Sequence, residues 1–193
     1  MINHTRLFVI LFSLLLFFAS CRNDNSTPKP RGYYRIDLPE KNYKEFSGEC
    51  PYSFEYPEYS KIISDPYGEG NKCWLNIYFP GFNGNIHISF KEIEGNLSKY
   101  IEDSRNLVYK HTVKAEAISE KRYSSKEKEV YGILYSLKGN VASPMQFFMT
   151  DSTEYFIRGS LYFRTEPNKD SIAPVLGFVE KDIIHLINTL EWE

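Results

Sequence analysis

The sequence predicts an α+β fold, a mainly antiparallel sheet packed by two helices. Stretches with apolar residues at every second position follow one another across turn signals, in hairpin order. Two well-separated segments change to a 3.6-residue period. A chain of 193 residues that is 42% hydrophobic and 16% aromatic holds material for one well-buried domain and little more. Strand runs interrupted by separate helices, rather than strands alternating with helices, argue α+β.

The elements follow in order. Residues 7–19 (LFVILFSLLLFFA) form an apolar run broken only by Ser13 and preceded by Arg6. A spanning helix needs about 20 apolar residues, so the run suits a secretory signal instead. Ala19, Ser20 and Cys21 follow at once, and small residues before such a cysteine resemble the bacterial lipobox, with Phe18 where leucine is commonest. Residues 1–20 therefore read as a lipoprotein signal peptide and Cys21 as the lipidated first residue of the mature chain; the alternative is an ordinary cleaved signal with an incidental cysteine. Two or more acyl chains anchor stably, because each buried CH₂ contributes about 0.8 kcal/mol.

Residues 21–32 read as a tether, with Pro28 and Pro30 excluding regular structure. The single globular domain is expected over 33–193. In residues 33–38, Tyr34, Ile36 and Leu38 alternate against Tyr33, Arg35 and Asp37, which predicts an edge element docked on the domain. Arg31, Tyr33, Tyr34 and Arg35 are a candidate partner-facing patch, or pins that hold the tether to the fold.

Tyr52, Phe54 and Tyr56 alternate with Ser53 and Glu55 until Pro57 ends the strand, and a short run follows at 59–63. The segment 65–71 (DPYGEGN) has two acids and two glycines but lacks the ligand spacing of a calcium loop, so it reads as a solvated turn. Cys73, Leu75, Ile77 and Phe79 share one strand face, with Trp74, Asn76 and Tyr78 on the other. After the turn at 80–85, Ile86, Ile88 and Phe90 point inward and His87 and Ser89 outward, completing a hairpin. Leu97, Tyr100, Ile101, Ser104, Leu107, Val108 and His111 then form one face of a helix, capped near Asn96 or Ser98 and ending near Thr112.

Alternation resumes over 117–123 and 130–137 around the charged turn at 124–129 (SSKEKE), a solvated hairpin end. Two further strands are predicted over Met145–Thr150 and Tyr155–Phe163, joined at Asp151 and Ser152. A last helix is predicted over 171–190, with Val175, Phe178, Val179, Ile183, Leu186, Ile187 and Leu190 toward the core and Pro174 in its first turn.

Charge is nearly balanced, 23 basic against 25 acidic residues, so nothing supplies the phosphate neutralisation that a nucleic acid requires. The common phosphate-cradling, acyl-transfer and zinc-hydrolase motifs are absent from the sequence. His87, Ser89 and Asp151 make a conceivable triad, but with four histidines and many serines and acids such sets are easily assembled. His111 reads as a core or boundary histidine, His185 as a boundary one, and His87 as the most available. With Cys21 set aside, Cys50 and Cys73 are one possible disulfide pair in an oxidising compartment; a reactive or metal-binding thiol pair would need CxxC spacing and nearby histidines. Fifteen tyrosines and fourteen phenylalanines suit either a β-rich core or a protein interface.

The segments "TPKPRGYYRIDLPEK" from Thr27, "CPYSFEYP" from Cys50, "CWLNIYFP" from Cys73, "EDSRNLVYKHT" from Glu102 and "KDIIHLINTLEW" from Lys181 occur in an order that resembles the gliding-motility lipoprotein GldD family of the Bacteroidetes. The likeness spans essentially the whole mature chain. It implies a non-enzymatic lipoprotein of the cell envelope, required for gliding and for type IX protein secretion, on the outer membrane and facing the periplasm. Its implied partners are other gliding and secretion envelope proteins, with the membrane engaged through the lipid. No catalytic residue, cofactor or metal comes with the resemblance; Cys21 alone carries over. The element order is also similar to the Mog1/PsbP-like α/β/α sandwich. A periplasmic lipid- or glycan-binding module is the alternative role, and an envelope hydrolase the third.

Overall fold

The computed structural model describes residues 36–66, 68 and 71–193. Cys21, the signal and tether segments, and Arg31, Tyr33, Tyr34 and Arg35 lie outside the described residues. Among the described residues, ten strands and two α-helices follow in the order β1 (Tyr43–Phe46), β2 (Tyr52–Pro57), β3 (Lys61–Ser64), β4 (Leu75–Phe79), β5 (Gly84–Glu92), α1 (Leu97–Tyr109), β6 (Ala115–Ser125), β7 (Val130–Gly139), β8 (Met145–Thr150), β9 (Tyr155–Phe163), α2 (Lys169–Thr189) and β10 (Glu191–Trp192). The strands make a small sheet, β1-β2-β10, and a seven-stranded sheet, β3-β4-β5-β9-β8-β7-β6, with every pairing antiparallel. The mixed fold with a mainly antiparallel sheet and two helices is the one the period changes predict.

The alternation of each strand decides which side it buries. Leu75, Ile77 and Phe79 of β4, Ile86, Ile88 and Phe90 of β5, and Ile157 and Leu161 of β9 form one apolar face. Val175, Val179, Ile183, Leu186 and Ile187 of α2 close over it, joined by Tyr52 and Phe54 of the small sheet. At about 25 cal/mol per Å² of apolar surface removed from water, this shared interior is the main source of stability. On the opposite face a second cluster gathers Val108 of α1 with Tyr135, Leu137, Val141, Phe148 and Phe156. The result is a sheet between two helical layers.

Several local expectations are corrected. Residues 36–38 form no strand: Ile36 and Leu38 are exposed, and Pro39, which has no N–H to give a ladder, follows them directly. The edge strand begins instead at Tyr43, which pairs with Pro57 while Phe46 pairs with Phe54. The last helix starts at Lys169 rather than Ser171, because Asn168 is its cap: the Asn168 side chain accepts the Ser171 N–H at 3.2 Å. Pro174 thus lies inside the helix rather than at its first turn. Phe178 is only half-buried, while Asp182, a charged residue, is buried. In α1 the apolar face is narrower than predicted; Ser104 and Val108 are buried but Leu107 is 40% exposed.

Two features tie the small sheet to the rest. Cys50 and Cys73 are joined by a disulfide, with Cα atoms 5.4 Å apart, linking the approach to β2 with the approach to β4. Asp182 of α2 receives the Lys41 ammonium at 2.5 Å, the Tyr43 hydroxyl at 2.9 Å and the Tyr59 hydroxyl. Lys41 also donates to the Phe178 carbonyl at 2.8 Å and lies 3.5 Å from the centre of its ring. Burial pulls the Lys41 pKa down, opposed by Asp182, and pushes those of Tyr43 and Tyr59 up, with Asp182 adding to the rise.

Candidate functional site

The second sheet face carries the site. Register places polar residues side by side: Asn76 pairs with His87, His87 with Ser160, and Ser160 with Gln146, a row crossing β4, β5, β9 and β8. In the next row Ser89 pairs with Arg158, and Arg158 with Phe148. These side chains share a face because strand neighbours two apart point the same way. Val108 and the Phe148 and Phe156 rings, stacked 5.5 Å apart, fill the space beneath α1 at one side. Over β5 and β9 the helix leaves a cleft of about 510 Å³.

Arg158 forms part of the cleft lining. Its Nη2 donates to the Gln146 Oε1 at 2.5 Å, and it makes no ion pair with any described residue. Burial lowers its pKa, yet a guanidinium keeps its charge, so the shift records an incompletely solvated cation. Gln146 is 1% exposed, and its Nε2 has no hydrogen-bond acceptor among the described residues. Nearby, the Asn85 Nδ2 donates to the Asn76 Oδ1 at 3.2 Å and lies 3.1 Å from the His87 Nε2. The Asn85 Oδ1 is buried without a donor.

His87 faces the cleft as its strand phase predicts. Its Nδ1 is 3.8 Å from the Asp65 Oδ2, and its ring meets Tyr162 edge-on at 5.6 Å. Burial pulls its pKa down and outweighs the opposing carboxylate, so the imidazole is neutral at pH 7. Trp74, Leu107 and Phe156 supply apolar wall, and the Trp74 Nε1 is fixed by a 2.7 Å bond to the Phe90 carbonyl. Lys91, over the Tyr100 ring at 4.6 Å, and Asp103 stand at the rim.

The three residues of the conceivable triad are not assembled. His87 and Ser89 both line the cleft, but Asp151 caps the β8–β9 turn, accepting the N–H groups of Thr153, Glu154 and Tyr155 at 3.1, 3.0 and 2.8 Å. His185 stacks on Tyr43 at 3.7 Å and meets the Glu55 carboxylate at 2.6 Å, the boundary role its position suggests. His111 is half-buried at the end of α1, its pKa lowered by burial and then by Arg158. Among the described residues no group of three or more His, Cys, Asp or Glu is placed to hold a metal ion, and no helix is long and apolar enough to cross a membrane. Arg158, Gln146 and Asn85 escaped the sequence reading. Each is a polar residue at an alternate strand position, but only the strand order β5-β9-β8 brings them together.

A sheet layered between two helices is an α+β sandwich, with a PsbP-like fold. The solution structure of cyanobacterial PsbP (CyanoP) from Synechocystis is similar with a TM-score of 0.50, covering 81% of this chain and 95% of that chain. At 10% sequence identity the likeness concerns the fold alone. The family model for the gliding motility lipoprotein GldD matches residues 23–192, and the chain belongs to that family. No curated protein matches it.

Proposed function

We propose that this gliding motility lipoprotein is a non-enzymatic, lipid-anchored component of the cell envelope that serves gliding and type IX secretion through contacts with other gliding and secretion envelope proteins. The family match over residues 23–192 supports the reading, since it runs through every strand and both helices described above. Lipid on Cys21 holds the domain to the outer membrane on its periplasmic side. In this reading residues 21–32 serve as the tether, and Arg31, Tyr33, Tyr34 and Arg35 serve as a partner-facing patch.

Deletion of the gene is expected to abolish gliding and to retain type IX cargo in the cell. A copy carrying Cys21→Ala should lose its acyl mass and fail to restore either phenotype. Crosslinking in native envelopes followed by mass spectrometry is expected to join the domain to other gliding or secretion lipoproteins. Normal cargo secretion by the deletion strain would refute the proposal.

A further inference from the structure

We infer that the cleft between α1 and strands β5 and β9 binds a small monocarboxylic acid, with the carboxylate on the Arg158 guanidinium and the remainder of the molecule against Trp74 and Leu107. The inference rests on the cleft alone and stands apart from any role in gliding.

An arginine within the nine-residue strand β9, held between β5 and β8, is an expensive residue to place there. Arg158 has one neutral acceptor, the Gln146 Oε1, and no carboxylate among the described residues. Gln146, which orients it, keeps a buried Nε2 with no acceptor. The Arg158 guanidinium therefore offers this end of the cleft N–H donors that no described residue accepts. Ser160, whose hydroxyl can turn to donate, lies on the same lining, while the Ser89 hydroxyl donates to the Arg158 carbonyl at 3.5 Å. A planar carboxylate matches the guanidinium fork with two parallel bonds, which a neutral ligand cannot do.

The surroundings select the charge. Asp65 and Asp103 also line the cleft, against Lys91 as its other full cation, while burial keeps His87 neutral. A second negative charge on the ligand would meet those carboxylates, so a monoanion fits better than a phosphate monoester. The size and wall select the rest. A volume of about 510 Å³ lies in the range of small-molecule sites, and the exposed side of Leu107 gains cover when the cleft is filled.

The protein has two tryptophans, Trp74 in the cleft wall and Trp192 in β10. Full-length lipoprotein carrying Trp192→Phe, held in a non-ionic detergent, therefore reports binding through Trp74 emission. Titration with phenylacetate is expected to give a saturable change that phenethylamine, with the same ring and the opposite charge, does not give. Arg158→Gln should weaken binding by about tenfold or more. Because Arg158 also contacts Gln146, Leu107→Ala provides a second variant at an exposed position; it should weaken phenylacetate with the melting temperature unchanged. Glucuronate as a further titrant separates the sources: tighter binding than phenylacetate assigns the carboxylate to a sugar acid, and weaker binding assigns it to an apolar acid. Equal binding of phenethylamine or phenyl phosphate, no saturable response to either carboxylate, or full affinity in a folded Arg158→Gln protein would overturn the inference.

Discussion

Asp182 shows how one residue can hold a fold at its entry point. Its side chain is 1% exposed, and its oxygens accept from Lys41, Tyr43 and Tyr59, three residues remote from it in sequence. Removing one member of a buried ion pair strands the other, at a cost of about 3–5 kcal/mol. Asp182→Ala is therefore expected to lower the unfolding free energy by about 3 kcal/mol in urea denaturation. Lys41→Met with Asp182→Leu, which removes both charges, should cost less than the single change; equal costs would argue that packing alone matters at this position. The tyrosines add a pH dependence. Burial raises the pKa of Tyr52 and Tyr59 well above 10.0, and pushes Tyr135 up to about 12. Above pH 10 the unfolded chain loses phenolic protons that the folded chain keeps, so the native state binds more protons and stability falls as pH rises. Lys41, with its lowered pKa, acts in the opposite sense, but it is one group against several. Urea midpoints measured at pH 8, 10 and 11.5 should decline above pH 10, and less steeply in Tyr59→Phe.

At the scale of elements, β9 concentrates both the packing and the chemistry. Its inward phase carries Ile157, Gly159 and Leu161, and its outward phase carries Arg158, Ser160 and Tyr162. A Cβ built on Gly159 would come within 2.2 Å of the Phe147 ring, so glycine is what lets that ring lie across the strand. Gly159→Ala is expected to destabilise by about 1–3 kcal/mol through overpacking, and Phe147→Leu in the same chain should recover part of the loss; an unchanged melting temperature for Gly159→Ala would show that the ring shifts freely. The bounds of β8 and β9 could be read from the sequence because one apolar-rich run ends at Thr150 and another begins at Tyr155, with a turn capped by Asp151 between. Strand β1 could not. Its burial comes from β2 and from the Asp182 contacts, which are remote in sequence, and the neighbouring Tyr34, Ile36 and Leu38 give the stronger local pattern. The start of α2 was missed for a smaller reason: Asn168 lies ahead of the segment whose period reveals the helix.

For the whole molecule, the site was harder to read than the fold because its polar residues come from strands that are remote from one another in sequence. Alternation marks His87, Ser89, Arg158 and Ser160 as pointing away from the core, and an outward residue usually meets water. The partial cover of α1 turns that face into a cleft, and nothing local to β5 or β9 encodes where α1 will lie. The Cys50–Cys73 bond works at the same scale, since it joins the approach to β2 in the small sheet to the approach to β4 in the large one. Its ends are 23 residues apart, and closing a loop of that order removes about 3 kcal/mol of chain entropy from the unfolded state. Reduction is therefore expected to lower stability by about 3 kcal/mol, seen as a lower urea midpoint in dithiothreitol, while Cys50→Ala with Cys73→Ala should lose a similar amount and ignore the reductant. Mass spectrometry with alkylation before and after reduction should find both thiols blocked in the native protein. If alkylation labels Cys50 and Cys73 without reductant, the two sheets are held together by Asp182 and the shared apolar core alone, and the reductant should leave the midpoint where it was.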